Sequence, residues 1–138
     1  MRHLLIVDDS PTHRGILKQC LRSVGCELWE ATNGREALNA IESLHPDCVI
    51  LDLMMPEMGG FDVLRALRRD GIVLPIVVAT TDMHEETRRA CVDLGALEVI
   101  YKPLDPREVL AAVERAFALS ETRAAAREAS ETTTEDRR

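Results

Sequence analysis

Short apolar runs alternate five times with segments of helical spacing, and this alternation constrains the fold more than any other feature of the sequence. The runs occupy residues 4–7, 27–31, 48–51, 76–79 and 99–101. Between them, apolar residues recur three or four positions apart, as on one face of a helix. Because strand and helix alternate throughout, the sequence predicts a doubly wound α/β fold with a parallel five-stranded sheet.

Length and charge exclude several classes of protein. The chain has 138 residues and a net charge of −7, which fits one domain and argues against general nucleic-acid binding. No apolar run approaches the roughly 20 residues that span a bilayer, and the N-terminus does not resemble a secretion signal. We therefore expect a cytoplasmic protein that enters no membrane. The spacings of its four cysteines match no zinc site.

The composition changes only near the C-terminus, where large apolar residues stop. This predicts a domain over residues 1–120 and a charged tail over residues 121–138. The tail is rich in Ala, Glu and Arg, so we expect the last helix to continue to about residue 129 and disorder to follow at the threonine run. The extension either docks a partner or is a solvated tail, and the sequence leaves both readings open.

Charged and hydroxyl residues follow four of the predicted strands. Asp8 and Asp9, Asp52, Thr80 and Lys102 each stand at the carboxyl end of a strand, the edge where open parallel sheets bind ligands. Taken singly, the Asp8-Asp9 pair could cap a helix and Asp52 could belong to a turn. Together, three crowded carboxylates repel one another, and a hard divalent cation such as Mg²⁺ would relieve that repulsion. A carboxylate beside a metal can attack a phosphoryl group.

The motifs that carry these residues resemble the receiver domain of two-component response regulators, the family that includes the chemotaxis receiver protein. They are IVDDS at 6–10, VILDLMMPEMGG at 49–60, PIVVATT at 75–81 and YKP at 101–103. The resemblance covers about residues 3–119. It implies a flavodoxin-like sandwich of five strand–helix units with strand order 2-1-3-4-5.

The resemblance also implies a role for each site residue. Asp52 would be the phosphoacceptor, and Thr80 and Lys102 would bind the phosphoryl group. A Mg²⁺ ion, or Mn²⁺ in its place, would be held by the carboxylates and one main-chain carbonyl, which are those of Asp8, Asp9, Asp52 and Met54. The peptide bond before Pro103 would be cis.

One departure from the family pattern concerns the switch. The family often has an aromatic residue three positions before the lysine, where this chain has Val99. Tyr101 lies two residues later on the same side of the strand, so the expected switch positions are Thr80, Val99 and Tyr101. Coupling from the site to the surface would use Tyr101, a shift of the loop before helix 4, or neither, and the sequence leaves these readings open. In the loop after Asp52, we expect Pro56 to stiffen the chain. We expect the Gly59-Gly60 pair to adopt backbone angles that other residues resist.

The predicted function is that of a stand-alone receiver, which is a signalling switch and not an enzyme beyond its own phosphorylation and dephosphorylation. Its expected partners are a sensor histidine kinase or phosphotransfer protein and a downstream protein bound at the face of helix 4, strand 5 and helix 5. We expect a monomer or weak dimer. Two alternatives are a Mg²⁺-dependent phosphatase with an aspartyl nucleophile and an interaction module that is never phosphorylated.

Overall fold

Five parallel strands form one sheet in the order β2-β1-β3-β4-β5, as predicted. The computed structural model describes residues 1–136, and their side chains as far as Ser130. The strands are β1 (Arg2–Val7), β2 (Cys26–Ala31), β3 (Cys48–Asp52), β4 (Ile76–Thr80) and β5 (Glu98–Tyr101). The helices are α1 (Pro11–Cys20), α2 (Gly34–Leu44), α3 (Gly60–Arg69), α4 (Glu85–Asp93) and α5 (Pro106–Asp136).

Two apolar cores cover the two faces of the sheet. Side chains that alternate along each central strand point to opposite faces, so Leu5 belongs to the core under α2, α3 and α4, while Leu4 belongs to the core under α1 and α5. All residues of β3 and β4 are buried, which explains why their sequences lack polar alternation. The edge strand β2 is buried mainly at alternate positions and ends at the fully covered Ala31.

Local sequence signals fix the helix ends. Ser10 caps α1 by accepting a hydrogen bond from the His13 backbone N–H at 3.2 Å, and Pro11 takes the first helical position. Asn33 caps α2 in the same way, accepting from the Glu36 backbone N–H at 2.9 Å. Such caps satisfy backbone donors that have no partner within the helix.

The last helix is longer than the sequence predicted. We expected α5 to stop near Ala129, but the helix continues through the threonine run to Asp136. The reason is energetic: each Thr costs only about 0.5 kcal/mol relative to Ala, and no Gly or Pro interrupts residues 121–136. A helix that packing has already nucleated therefore propagates past them. The disorder predicted beyond residue 136 lies outside the described residues.

Polar contacts attach the first turn of this extension to the body of the domain. Glu121 pairs with Arg2, whose guanidinium also lies 5.0 Å from the Phe117 ring centre. The Ser120 hydroxyl donates to Asp47 at 3.4 Å. These contacts lie at the amino ends of the strands, opposite the predicted site. Within the described residues, every helix is too short or too polar to cross a membrane.

Candidate functional site

The sheet order brings the predicted site residues to one edge. Asp52 is the last residue of β3 and Thr80 the last of β4, while Asp8 and Lys102 directly follow β1 and β5. Since β3 lies between β1 and β4, Asp52 stands between Asp8, which follows β1, and Thr80, which ends β4. The carboxyl ends of four neighbouring strands therefore place these charged and hydroxyl side chains at one edge of the sheet.

Three carboxylates meet at this edge. One oxygen from each of Asp8, Asp9 and Asp52 lies within 4.8 Å of one oxygen from each of the others. Asp8 is 1% exposed and Asp52 6% exposed, whereas Asp9 is open to solvent. The Ser10 backbone N–H donates to Asp8 Oδ1 at 2.9 Å and fixes the orientation of that carboxylate.

The Lys102 ammonium supplies positive charge to the cluster. Its Nζ atom donates to Asp8 Oδ2 at 2.8 Å and lies 3.6 Å from Asp52 Oδ1. The second distance exceeds that of a hydrogen bond, so Lys102 is bonded to Asp8 and only electrostatically paired with Asp52. The peptide bond from Lys102 to Pro103 is cis.

The electrostatics of the site act against ionisation of Asp52. Burial is the largest influence and raises the pKa of this carboxyl, and the negative charges of Asp8 and Asp9 raise it further. The Lys102 charge and the Met54 backbone N–H, which donates to Asp52 Oδ1 at 3.4 Å, act in the opposite direction. Asp52 is thus a buried carboxylate that gains from any added positive charge.

The donor set fits a hard divalent cation. Clustered carboxylate oxygens with open space beside Asp9 are typical of Mg²⁺ sites, where the ion keeps some of its water. Met54, the remaining predicted ligand, lies in the loop directly after Asp52, and its side chain is 73% exposed. Met54 therefore contributes little to the apolar core. Its main chain lies next to the cluster, because its backbone N–H donates to Asp52.

Close packing, and not unusual backbone angles, explains the glycines of that loop. Gly59 has φ −87° and ψ 179°, which any residue adopts, so the prediction about backbone angles is wrong for this residue. The left-handed residue of the loop is Glu57, at φ 67°. A Cβ atom on Gly60 would lie 2.4 Å from the Asp52 carbonyl oxygen. Only glycine lets α3 begin this close to the end of β3.

Thr80 is connected to the loop that precedes α4. Its hydroxyl is fully buried and accepts a hydrogen bond from the Asp82 backbone N–H at 3.1 Å. The Asp82 carboxylate in turn accepts from the His84 backbone N–H at 2.9 Å and the Thr87 hydroxyl at 2.7 Å. These bonds, the His84 backbone bond foremost, lower the pKa of Asp82 to about 2.

The two candidate switch positions on β5 are both half-buried. Val99 packs against the core under α2, α3 and α4, and it pairs in register with Val78. Tyr101 pairs in register with Thr80 and lines a groove between β5 and α5. The structure thus places Tyr101 beside the buried hydroxyl in the sheet and Val99 two residues further from the site.

Sequence reasoning missed His13 as a site residue. Its Nδ1 atom lies 2.9 Å from Lys102 Nζ and 3.5 Å from Asp8 Oδ2. A position in the first turn of a helix that starts directly after Asp8 and Asp9 was the available signal, because that turn must lie beside the carboxylates. The capping role of Asp82 was also missed.

Comparisons with known proteins agree with this geometry. The sequence profile of the response regulator receiver domain matches residues 4–114. Response regulator MprA of Mycolicibacterium vanbaalenii is 42% identical over 108 residues, which are 78% of this chain and 47% of the relative. The chain spans about half the length of most of the first curated relatives that it matches.

Solved structures share the fold over nearly their whole length. Chemotaxis protein CheY4 of Vibrio cholerae superposes with a TM-score of 0.77 at 32% identity, covering 84% of this chain and 98% of that one. A CheX–CheY complex of Borrelia burgdorferi with BeF₃ and Mg²⁺ superposes with a TM-score of 0.79 at 30% identity. That match covers 84% of this chain and 89% of the other.

Proposed function

The chain belongs to the response regulator receiver family, and we propose that it is a switch operated by phosphorylation of Asp52. The observation that carries the proposal is the position of this carboxylate. Asp52 is buried at the end of a central strand, 3.6 Å from the Lys102 ammonium and within 4.8 Å of two further carboxylates. A nucleophile needs a rigid position of this kind. Burial and the two neighbouring carboxylates also raise the free energy of the unmodified Asp52 anion.

The reaction transfers a phosphoryl group from a phosphohistidine donor. An Asp52 carboxylate oxygen attacks the phosphorus atom, the bond from phosphorus to the donor nitrogen breaks, and that nitrogen keeps the electron pair. Lys102 is close enough to meet the incoming phosphoryl oxygens. Mg²⁺ bound by Asp8, Asp9, Asp52 and the Met54 carbonyl would supply the charge that lets an anionic donor approach three carboxylates.

Thr80 then reports the modification. Its hydroxyl now accepts from the Asp82 N–H, and it would donate its own proton to a phosphoryl oxygen, so a shift of the hydroxyl towards that oxygen would draw it away from Asp82. Loss of the Asp82 contact would free the turn before α4, because the Asp82 carboxylate holds the first residues of that helix. Through its pairing with Thr80, Tyr101 is a better candidate than Val99 to carry the change along β5.

The proposed donors are a sensor histidine kinase or a phosphotransfer protein, and the proposed output is a protein that binds the α4–β5–α5 face. That face holds the groove beside Tyr101, bordered by the Arg115–Glu98 ion pair, whose two bonds are both 2.7 Å. The solved complex of the Borrelia relative with CheX supports partner binding by this fold. We infer a monomer or weak dimer. The activities of longer relatives beyond their receiver segment are not carried over.

Intact-mass measurement after incubation with acetyl phosphate and Mg²⁺ tests the proposal. The wild-type chain should gain one phosphoryl group, whereas Asp52→Asn, or chelation of the metal, should prevent the gain. Asp47→Asn is the matched control, because it removes a carboxylate at the opposite end of the sheet. An Asp52→Asn variant that is modified at the wild-type rate would refute the assignment. Release of phosphate from the donor that continues in Asp52→Asn would instead favour the phosphatase alternative, because the proposed switch releases phosphate only through phosphorylated Asp52.

A further inference from the structure

The imidazole of His13 contacts the reactive end of Lys102 from the first turn of α1. The two nitrogen atoms, His13 Nδ1 and Lys102 Nζ, are 2.9 Å apart. The His13 backbone N–H is bound by the Ser10 cap at 3.2 Å, so the start of the helix holds this side chain near the ammonium. The side chain is 41% exposed, whereas that of Lys102 is only 8% exposed.

The chemistry of the contact fixes its direction. An ammonium group has three N–H donors and no acceptor, so Nδ1 must accept and the ring proton must reside on Nε2. One N–H of Lys102 is directed to His13 and another to Asp8, at 2.8 Å. The distance to Asp52 is 3.6 Å, which is too long for the third. Lys102 is therefore held between two acceptors, neither of which is the nucleophile.

We propose that His13 is a positioning residue that keeps the Lys102 ammonium from closing onto the Asp52 carboxylate before phosphorylation. This inference rests on the proposed function. An ammonium in direct contact with Asp52 would have to be displaced when that oxygen attacks phosphorus. At its present distance it leaves room for a phosphoryl oxygen, which extends beyond the carboxylate, and it can bind that oxygen without leaving His13.

Packing explains the position of His13 less well than its contact with Lys102 does. With its side chain 41% exposed, His13 contributes little apolar burial, and the core beneath α1 is supplied by Leu17 and Leu21. Asp8 would still hold Lys102 in the absence of His13, so the expected effect is moderate. Loss of a hydrogen bond to a charged group can amount to roughly 10- to 150-fold, and the bond that remains to Asp8 reduces the expected change in rate to about fivefold.

Two substitutions separate the hydrogen bond from the size of the side chain. His13→Leu removes the acceptor, and we expect phosphorylation of Asp52 by acetyl phosphate with saturating Mg²⁺ to slow about fivefold. His13→Asn places an amide oxygen at the same distance along the side chain as Nδ1, and we expect a rate within about twofold of the wild type. Equal rates for the wild type and His13→Leu, or equal losses in both variants, would overturn the proposal. Denaturant unfolding of each variant checks that the fold is retained.

A spectroscopic measurement tests the contact without any phosphorylation. The ¹⁵N shifts of the His13 ring in the unphosphorylated protein should indicate an accepting Nδ1 and a protonated Nε2. Lys102→Met should change the Nδ1 shift, and a shift that is identical in both proteins would overturn the positioning role. A wild-type chain that accepts no phosphoryl group would instead refute the proposed function, so the two failures are distinguishable.

Discussion

Replacing Asp52 by Asn should stabilise the fold when no divalent cation is added. The buried carboxylate is held against its own desolvation, and Asn keeps nearly the same shape and can still accept from the Met54 N–H. The change leaves no buried charge without a partner, because Lys102 remains bonded to Asp8 at 2.8 Å. A substitution that should abolish the proposed chemistry is therefore expected to increase stability.

The magnitude follows from the distances in the site. At an effective dielectric constant of about 20, attraction to Lys102 at 3.6 Å amounts to about 4–5 kcal/mol. Repulsion from Asp8 across up to 4.8 Å is about 3–4 kcal/mol, and exposed Asp9 adds a smaller, screened amount. These contributions nearly cancel, which leaves the cost of burial. We expect the free energy of unfolding to rise by about 1–3 kcal/mol.

The dependence on pH has a definite sign. Because burial raises the pKa of Asp52, the folded state binds the proton more tightly than the unfolded state does. The resulting stability is fully present below the unfolded pKa and is lost as the pH rises through the raised folded pKa. Asn imitates the protonated carboxyl at every pH. The stability difference between Asp52→Asn and the wild type should therefore be small in acid and reach its full value above the raised pKa.

Urea unfolding in the presence of a chelator measures this difference. Glu42→Gln, which removes an exposed carboxylate from α2, is the control for net charge and should change stability by less than about 0.5 kcal/mol. Added Mg²⁺ should stabilise the wild type more than Asp52→Asn, because only the wild type keeps all three carboxylates. An Asp52→Asn variant that is no more stable than the wild type at neutral pH without metal would refute the reasoning.

Three further perturbations test other parts of the structure. Gly60→Ala should lower the free energy of unfolding by more than about 2 kcal/mol in urea, because its Cβ would meet backbone at 2.4 Å. Gly15→Ala, which has open space in α1, should raise it by about 0.5–1 kcal/mol, and a similar loss in both would contradict the packing argument. Thr80→Ala should still accept the phosphoryl group but show smaller amide shifts on the α4–β5–α5 face with beryllofluoride. Shifts as large as in the wild type would exclude the switch role. Deleting residues 121–138 should cost about 1 kcal/mol or less in urea, since the Arg2–Glu121 pair is exposed, and should leave phosphorylation by mass unchanged.

The fold was predictable because its signals are local and repeated. Five apolar runs, separated by helical stripes, specify strand–helix units almost without reference to tertiary structure. Caps such as Ser10 and Asn33 mark where the helices begin. The strand order came from the resemblance, since alternation alone does not order a parallel sheet. The end of α5 was missed because weak propensities such as those of Thr decide little once a helix is already packed.

The positions of some site residues are fixed by the backbone, and those of others by side-chain contacts. Asp52 and Thr80 end buried strands, so the backbone alone delivers them to one edge of the sheet. His13 lies in the first turn of α1 and Asp82 in the turn after β4, and the contacts there depend on side-chain rotation. Hydrophobic periodicity contains no information about that rotation. The same reasoning explains Gly60, whose requirement is a 2.4 Å approach of backbone to an added Cβ and not an unusual angle of its own.

The two missed residues lie outside the buried cores of the domain. His13 bonds Lys102 and Asp82 bonds Thr80, so each touches one of the two groups that would contact a phosphoryl oxygen. A substitution of His13 would remove its contact with Lys102. A substitution of Asp82 would keep the backbone N–H that bonds Thr80 but would remove the carboxylate that caps α4, at a cost in stability. We therefore expect side chains in the first turn of α1 and in the turn before α4 to affect the rate of the proposed phosphorylation and the strength of the proposed switch.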